Sequence, residues 1–187
     1  MSEQLNPCPE DAYRVATQRP VRRIVTGENA QGRSCFVSDG PTPNHSLPGA
    51  PMAQVVWTTG EDRAPGSDPA PAGHRFGFHS RNGVLLRIAD FPPDERYDRE
   101  QLSRFLDEHG VRDTGDARHF WFHKTRSLDY AIVLEGEIWA LMDEGETLLR
   151  AGDILIQRAT NHSWSNRSGK SCRMAFVLID LQEGGGP

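Results

Sequence analysis

The sequence lacks the features that mark several classes of protein. Its three cysteines, Cys8, Cys35 and Cys172, are an odd number without a Cys-x-x-Cys pair, which disfavours a disulfide framework and a cysteine zinc site. No basic run exceeds Arg22-Arg23 and the formal net charge is −5, so nucleic acid is not expected as a partner. No apolar run approaches the length of a membrane span, and the first residues lack the basic-then-apolar pattern of a signal peptide. These absences predict a reduced, cytoplasmic protein whose partners include neither nucleic acid nor a membrane.

Short segments of alternating apolar and polar residues dominate the chain. Turn residues separate them, and the sequence contains 13 prolines and 18 glycines. Short strands with turns about every 8–12 residues predict an antiparallel barrel or sandwich. The predicted strands are 21–26, 34–38, 54–59, 84–91, 119–125, 129–134, 137–142, 147–150, 154–157, 162–166 and 172–181.

One helix is predicted, at about 98–109. Asp98 is a good N-cap residue and Gln101 stands where the partner of a capping box is expected. Gly110 follows as a stop signal. The apolar stripe of this helix is narrow and consists of Leu102, Phe105 and Leu106. We therefore expect the helix to lie on the surface and to cap a face or an edge of a sheet.

The length of the chain suits one domain with a hydrophobic core and additional termini. Residues 1–20 are polar and are predicted to form a flexible arm, and the glycine-rich residues 182–187 a disordered tail. The single domain is predicted at 21–181, with its barrel core at about 80–181. The segment 60–73 is rich in Pro, Gly, Asp and Ala, and is interpreted either as a lid or as a disordered insertion.

Two stretches combine histidine with acidic and turn residues. His123 and Thr125 are two residues apart, so on a strand they share a face, and Asp129 follows them. His162 belongs to a second stretch that begins at Gly152. Two imidazoles and a carboxylate that converge inside a small barrel would form a metal site or an acid–base site.

The two stretches resemble the motifs of the cupin superfamily. The first motif is His-x-His, three or four residues, Glu, six residues and Gly, and it resembles the stretch from His123 to Gly136. The second is Gly, about five residues, then Pro-x-Gly-x-x-His-x-x-x-Asn, and it resembles the stretch from Gly152 to Asn166. The sequence departs from these motifs at four positions: Thr125 replaces His, Asp129 replaces Glu, Gln157 replaces Pro and Ala159 replaces Gly.

This resemblance implies an all-β fold, the antiparallel cupin β-barrel, also known as the double-stranded β-helix or jelly roll. Extra N-terminal strands and the one capping helix would be added to it, and a homodimer is implied. Members of the superfamily usually bind one Fe, Mn, Ni or Zn ion through three histidines and a glutamate. The corresponding metal ligands here would be His123, Asp129 and His162, and a site that has lost its metal is the alternative.

Three functions remain open. The first is a small-molecule enzyme, in its most concrete form a mononuclear-metal oxygenase that acts on an aromatic or carboxylate-bearing metabolite with His123, Asp129 and His162 as catalytic residues. The second is a metal-free isomerase, epimerase or dehydratase, in which Asp129 fixes the tautomer of a histidine and raises its pKa toward neutrality. The third is a barrel that binds a small ligand without catalysis.

Five further residues are candidates for binding the substrate. Trp121 and Trp164 share strand faces with the two histidines of the motifs and would form aromatic walls, with core packing as the alternative. Arg87 stands in an apolar strand and would clamp a carboxylate, unless it is a surface arginine. Thr125 would line the pocket, and His119 would lie at its mouth or have a structural role.

Overall fold

The computed structural model describes residues 20–45, 53–108, 110–112 and 118–180. The predicted arm at 1–20, apart from its last residue, and the predicted tail at 182–187 lie outside the described residues. The predicted domain boundaries at 21 and 181 stay predictions.

Ten strands and one α-helix form in this part of the chain. The strands are β1 (Arg22–Glu28), β2 (Ser34–Pro41), β3 (Ala53–Thr58), β4 (Val84–Phe91), β5 (Ser127–Glu135), β6 (Glu137–Met142), β7 (Glu146–Arg150), β8 (Ile154–Arg158), β9 (His162–Ser165) and β10 (Cys172–Asp180). The helix is α1 (Arg99–Glu108), preceded by a 3-10 turn at Asp94–Arg96. With one exception, each strand predicted from the alternation is present and differs by at most a few residues at its ends. Among the described residues, no helix combines the length and apolar composition needed to cross a bilayer.

The strands pair antiparallel in three sheets. One sheet has the order β3-β4-β10-β5-β8, the second has the order β7-β6-β9, and β1 and β2 form a two-stranded sheet. The main hydrophobic core takes side chains from both larger sheets, such as Val133 and Phe176 from the first and Ile138 and Trp164 from the second. The predicted all-β antiparallel architecture is confirmed.

The exception is the segment 119–125, which was predicted as a strand and is not one. Turns and bends occupy 118–121, and in the described part of the chain this segment forms isolated β-bridges, which join His123 to Arg112 and to His162. Trp121, Phe122 and His123 are all buried. A half-buried strand alternates between its faces, whereas this segment is enclosed between the barrel and α1, so its apolar residues imitate a strand pattern.

The helix matches its prediction and covers this segment. The Asp98 carboxylate accepts a hydrogen bond of 3.0 Å from the Glu100 N–H, and its carbonyl accepts one of 3.0 Å from the Leu102 N–H. The side chain of Gln101 lies outside the described residues. Leu102 packs against Trp121, so α1 closes one side of the barrel.

The segment 60–73 is neither a free lid nor a disordered insertion. Ala70 has no exposed surface and belongs to the main core. The Asp68 carboxylate accepts two hydrogen bonds, of 3.0 and 2.5 Å, from the guanidinium of Arg23 in β1. The segment therefore ties the β1–β2 hairpin to the barrel, a role that its composition does not reveal.

The alternation along β5 aims the site residues inward. Asp129, Ala131 and Val133 are buried, while Tyr130 and Leu134 are exposed on the opposite face. Cross-strand neighbours of an antiparallel pair point to the same side of the sheet. The neighbours of Asp129, which are Gln157 in β8 and Leu178 in β10, therefore line the same interior.

Candidate functional site

Two histidines meet inside the barrel. The backbone of His123 exchanges two hydrogen bonds with that of His162, of 2.9 and 3.0 Å, and this bridge links the segment under α1 to β9. Their ring centroids are 4.3 Å apart, and the residues are only 6% and 3% exposed. The structure thus brings together the two histidines that stand 39 residues apart in the sequence.

Backbone carbonyls determine the tautomer of both rings. Nδ1 of His123 lies 2.7 Å from the Trp121 carbonyl oxygen, and Nδ1 of His162 lies 3.0 Å from the Thr160 carbonyl oxygen. A carbonyl only accepts hydrogen bonds, so each Nδ1 must be the protonated nitrogen. Each Nε2 is left with its lone pair, which is the atom that can accept a proton, a substrate hydroxyl or a metal ion.

Burial makes both imidazoles weak bases. The pKa of His123 falls to about 4, chiefly because desolvation disfavours the imidazolium, while the Trp121 carbonyl opposes this fall. The pKa of His162 falls to about 3, again through burial and further through the proximity of His123. Both rings are neutral at pH 7. The expectation that Asp129 fixes a histidine tautomer and raises its pKa is wrong, because carbonyls hold both rings and burial has the larger effect.

Asp129 is a buried carboxyl group with unsatisfied hydrogen-bonding capacity. It is 3% exposed, and its Oδ1 atom is buried without a hydrogen-bond partner. Desolvation raises its pKa to about 6, although Ser127 and the positive charge of Arg87 oppose this rise. Its pKa is therefore closer to neutral pH than that of either histidine.

The donor set satisfies only part of what a resident metal ion needs. His123 and His162 fit, since both are neutral and donate Nδ1–H to a carbonyl, as metal-bound histidines usually do. However, the described residues contain no group of three or more His, Cys, Asp or Glu side chains that could hold a metal ion. Asp129 is therefore not brought to the histidine pair as a third ligand. Two protein ligands are fewer than the three that are typical of catalytic zinc sites.

Arg87 points into the same interior from β4. Its cross-strand neighbours are Val55 and Phe176, and its guanidinium carbon lies 5.9 Å from the ring centroid of Phe78. Nη2 donates to the Gly77 carbonyl at 2.5 Å, whereas Nε is buried without a partner. Desolvation lowers the pKa of Arg87 to about 10, so it is still a cation at neutral pH. Arg87 is half-buried rather than fully exposed, and its role as a carboxylate clamp stays a prediction.

Aromatic rings surround the histidine pair. Trp121 lies 6.2 Å and Phe78 5.2 Å from the His123 ring, and Trp164 lies 5.8 Å from the His162 ring, all measured between centroids. The indole Nε1 of Trp121 is buried without a hydrogen-bond partner. Both tryptophans therefore form walls of the site, and both also pack in the hydrophobic clusters.

Thr125 and His119 have different positions. Thr125 is buried, and its hydroxyl oxygen accepts a hydrogen bond of 3.0 Å from Ser127. His119 uses both ring nitrogens within the protein, since Nδ1 lies 2.7 Å from the Ser163 hydroxyl and Nε2 lies 3.1 Å from the Asp94 carboxylate. His119 therefore has the structural role that was the alternative for it, and its ring has no nitrogen left for a substrate.

Sequence reasoning missed the residue that His119 contacts. The Asp94 carboxylate accepts hydrogen bonds from the Ser165 hydroxyl at 2.6 Å and from the Asn166 N–H at 2.9 Å, in addition to His119. It holds the outer side of β9, while His162 and Trp164 project from the inner side. Only its position directly after a Pro-Pro pair singles Asp94 out in the sequence.

Gln157 and Ala159 were seen only as departures from a motif, and the structure gives both a role. The Gln157 amide donates to the Thr160 carbonyl at 2.6 Å, and this is the same carbonyl that orients His162. Ala159, between them, has a φ of +52°, a left-handed conformation that suits the glycine of the cupin motif. This turn also borders a cavity of about 640 Å³, whose walls include Met142, Leu155 and Gln157. Met142 is the cross-strand neighbour of His162, so this cavity adjoins the site.

Comparisons with known proteins identify relatives that extend over most of the chain. No family model matches the chain. Phomopsin biosynthesis cluster protein C′ of Diaporthe leptostromiformis is 33% identical over 171 residues, which cover 88% of this chain and 80% of that protein. The cupin-domain-containing oxidoreductase fogC of Aspergillus ruber is 28% identical over 190 residues, which cover 92% of this chain and 79% of that protein.

A further relative and a solved structure are also similar. The cupin-domain-containing oxidoreductase virC of Hypocrea virens is 29% identical over 180 residues, covering 88% of this chain and 78% of that protein. A Klebsiella pneumoniae protein with a double-stranded β-helix domain covers 76% of this chain with 87% of its own, at 15% identity and a TM-score of 0.43. The sequence relatives, which extend over most of both proteins, decide the family. The chain belongs to the cupin superfamily.

Proposed function

We propose that this cupin is an oxidoreductase that binds a small organic molecule inside the barrel, against the His123–His162 pair. Relatives named as cupin-domain-containing oxidoreductases support the reaction class. The observation that carries the proposal is a set of buried polar atoms without partners, namely Arg87 Nε, Trp121 Nε1 and Asp129 Oδ1.

These atoms are costly unless something binds them. A buried donor or acceptor without a partner costs about 1–3 kcal/mol of folding free energy. Native proteins rarely leave buried polar groups without a hydrogen-bond partner, and a bound ligand is one source of the missing partner. Arg87 lies beside Phe78 and interacts electrostatically with Asp129, while Phe78 and Trp121 both flank the His123 ring. One molecule bound there would be placed to pair with these atoms. The aromatic rings favour a flat, aromatic or unsaturated substrate.

The chain's own residues have separable tasks in this proposal. Arg87 and Trp121 would orient the substrate through N–H donors. His123 and His162, both neutral, would accept hydrogen bonds from substrate hydroxyl groups or bind a metal ion. The aromatic walls, together with α1 over Trp121, would keep water from the reacting atoms.

Metal binding by His123, Asp129 and His162 stays a prediction, with one Fe, Mn, Ni or Zn ion expected. The tautomers and charge state of the two histidines support it. The lack of a three-ligand group among the described residues does not. Such an ion would supply Lewis acidity or, if iron, dioxygen activation.

The test combines elemental analysis with an activity screen. The untagged protein, His123→Ala and His162→Ala are compared with the matched control His74→Ala. The native His74 ring lies against Phe76, outside the histidine pair. Aromatic and carboxylic metabolites are screened by dioxygen consumption and product mass. Turnover that the control retains and both site variants lose supports the proposal, and metal lost in parallel extends it to a metal enzyme. Equal turnover in His162→Ala contradicts the proposal.

A second candidate is metal-free isomerisation or dehydration with Asp129 as the acid–base group. The pKa of about 6 supports this candidate, since a general acid or base works best with a pKa near the working pH. It replaces the histidine-based form of that reaction. Product formation without dioxygen consumption, resistant to chelators and lost in Asp129→Asn, would favour it. Binding without any turnover across the screen would leave a non-catalytic barrel.

A further inference from the structure

Arg87 is a half-buried cation whose Nε is shielded from solvent, and among the described residues no anion binds it directly. Other arginines of the described chain that are shielded from solvent pair with carboxylates: Arg23 with Asp68, and Arg173 with Asp90, each through two nitrogens. Arg87 has no carboxylate within 4.0 Å among the described residues, and its nearest protein acceptor is the neutral carbonyl of Gly77. Such an arrangement is unfavourable for the free protein, because Asp129 acts on this charge only from a distance and a cation shielded from water is stabilised best by an anion in direct contact.

The geometry points to a substrate carboxylate as the missing anion, a proposal that rests on the proposed function and names its substrate class. We propose that Arg87 binds the carboxylate of a flat, monoanionic acid whose ring or double bond lies over Phe78 toward His123. Arg87 is a binding residue in this proposal and takes no part in bond making.

The shape of the free part of the guanidinium selects the anion. Nη2 is already used by Gly77, while Nε presents an unpartnered N–H to the interior. A planar carboxylate can accept a linear hydrogen bond from that N–H, and its single negative charge needs no cation besides Arg87. A phosphate dianion would need more donors than this single arginine and its apolar neighbours Val55 and Phe176 provide.

The position of Phe78 sets the size of the acid. Its ring centroid lies 5.9 Å from the Arg87 guanidinium carbon and 5.2 Å from the His123 ring. A molecule anchored at Arg87 and stacked along Phe78 therefore presents its far end to the histidine pair after about one aromatic ring. Asp129 Oδ1, also without a partner, adds a second polar contact for a hydroxyl group on that molecule.

The test measures binding, which needs no turnover. Benzoate, phenylacetate and cinnamate, each with its neutral amide as a matched probe, are titrated by calorimetry and by NMR of the arginine Nε–H signals. We expect at least one acid to bind about 10- to 100-fold more tightly than its amide, the range of a charge-assisted hydrogen bond. Arg87→Met should abolish that preference, and the exposed-site control Arg22→Met should retain it.

A second variant guards against a folding defect. Arg87→Lys retains the charge and loses the planar fork, so it should bind the acids with a smaller preference than the wild type, and the thermal midpoint of each variant is recorded. Equal binding of acids and amides by the wild type, no binding of any acid, or an acid preference that survives in Arg87→Met overturns the inference. Acid binding at Arg87 without oxidation of any compound would leave the inference standing while the proposed function fails. Oxidation of neutral compounds at an unchanged rate in Arg87→Met would leave the proposed function standing while this inference fails.

Discussion

Replacing Asp129 by asparagine should stabilise the protein at neutral pH. The asparagine side chain has nearly the same volume as the native aspartate but no charge. Burial raises the pKa of the native carboxyl from 3.8 to about 6, because the ionised form loses hydration that Ser127 and Arg87 replace only in part. The ionised carboxylate therefore destabilises the folded state, and the substitution removes that effect.

The size of the stabilisation by Asp129→Asn follows from the pKa shift of Asp129. One pKa unit corresponds to about 1.4 kcal/mol, so a shift of about two units corresponds to about 3 kcal/mol. The folded-state pKa is the higher one, so below about pH 4 both states are protonated and the group has no effect. Between about pH 4 and pH 6 the unfolded chain ionises first, and the wild type loses stability as the pH rises. Above about pH 6 the full cost of about 3 kcal/mol is present.

The assay is urea unfolding of wild type and Asp129→Asn at pH 4, 5, 6 and 7, monitored by tryptophan fluorescence. The difference in unfolding free energy should grow by about 3 kcal/mol from pH 4 to pH 7 in favour of the variant. Asp39→Asn serves as a control of opposite sign, because the Arg22 guanidinium lowers the pKa of that exposed carboxyl. A difference for Asp129→Asn that does not change with pH would show that this carboxyl is well hydrated, and would refute the argument that its unpartnered oxygen awaits a ligand.

Three further predictions concern other parts of the chain. Ala159→Gly should raise the unfolding free energy by about 1 kcal/mol, because it relieves the left-handed φ of +52°, and thermal unfolding should show no gain if that turn is unstrained. Because the pKa of His162 is lowered in the folded state, only the unfolded chain takes up a proton there between about pH 6.5 and pH 4, so the unfolding free energy should fall on acidification. His162→Gln should reduce the slope of unfolding free energy against pH by up to about 1.4 kcal/mol per pH unit. The predicted homodimer would cover the 74% exposed Phe36 on the β1–β2 hairpin, so light scattering should find a dimer of the 20.9 kDa chain that Phe36→Ser dissociates, and a wild-type monomer at all concentrations would exclude it.

The strands could be predicted because their evidence is local. Apolar alternation of period two, bounded by glycine, proline and acidic turn residues, located β4 and β6 at their observed bounds and placed the other strands within a few residues. The evidence for the helix was equally local, since the predicted N-cap residue Asp98 is its N-cap in the structure. The segment 119–125 could not be predicted in this way, because its aromatic residues are buried by contact with α1 and with the barrel, and a strand pattern and an enclosed bend look alike in sequence.

The site was only partly visible in the sequence. The motif spacing identified His123 and His162, and the structure brings them together. The motif spacing could not reveal that the carbonyls of Trp121 and Thr160 accept hydrogen bonds from the rings of His123 and His162, because backbone geometry decides those contacts. The spacing equally could not reveal whether the Asp129 carboxylate lies close to the two histidines, since that depends on strand register.

The sequence by itself determined the all-β architecture, the cupin resemblance and the choice of candidate site residues, because periodicity and motif spacing are properties of neighbouring positions. Only the tertiary structure decided their chemical state. Burial made both histidines neutral, raised the pKa of Asp129 and left Arg87 without a directly bound anion, since desolvation depends on what surrounds a group in three dimensions. The same dependence reassigned His119, because its partners Asp94 and Ser163 reach it only through the fold.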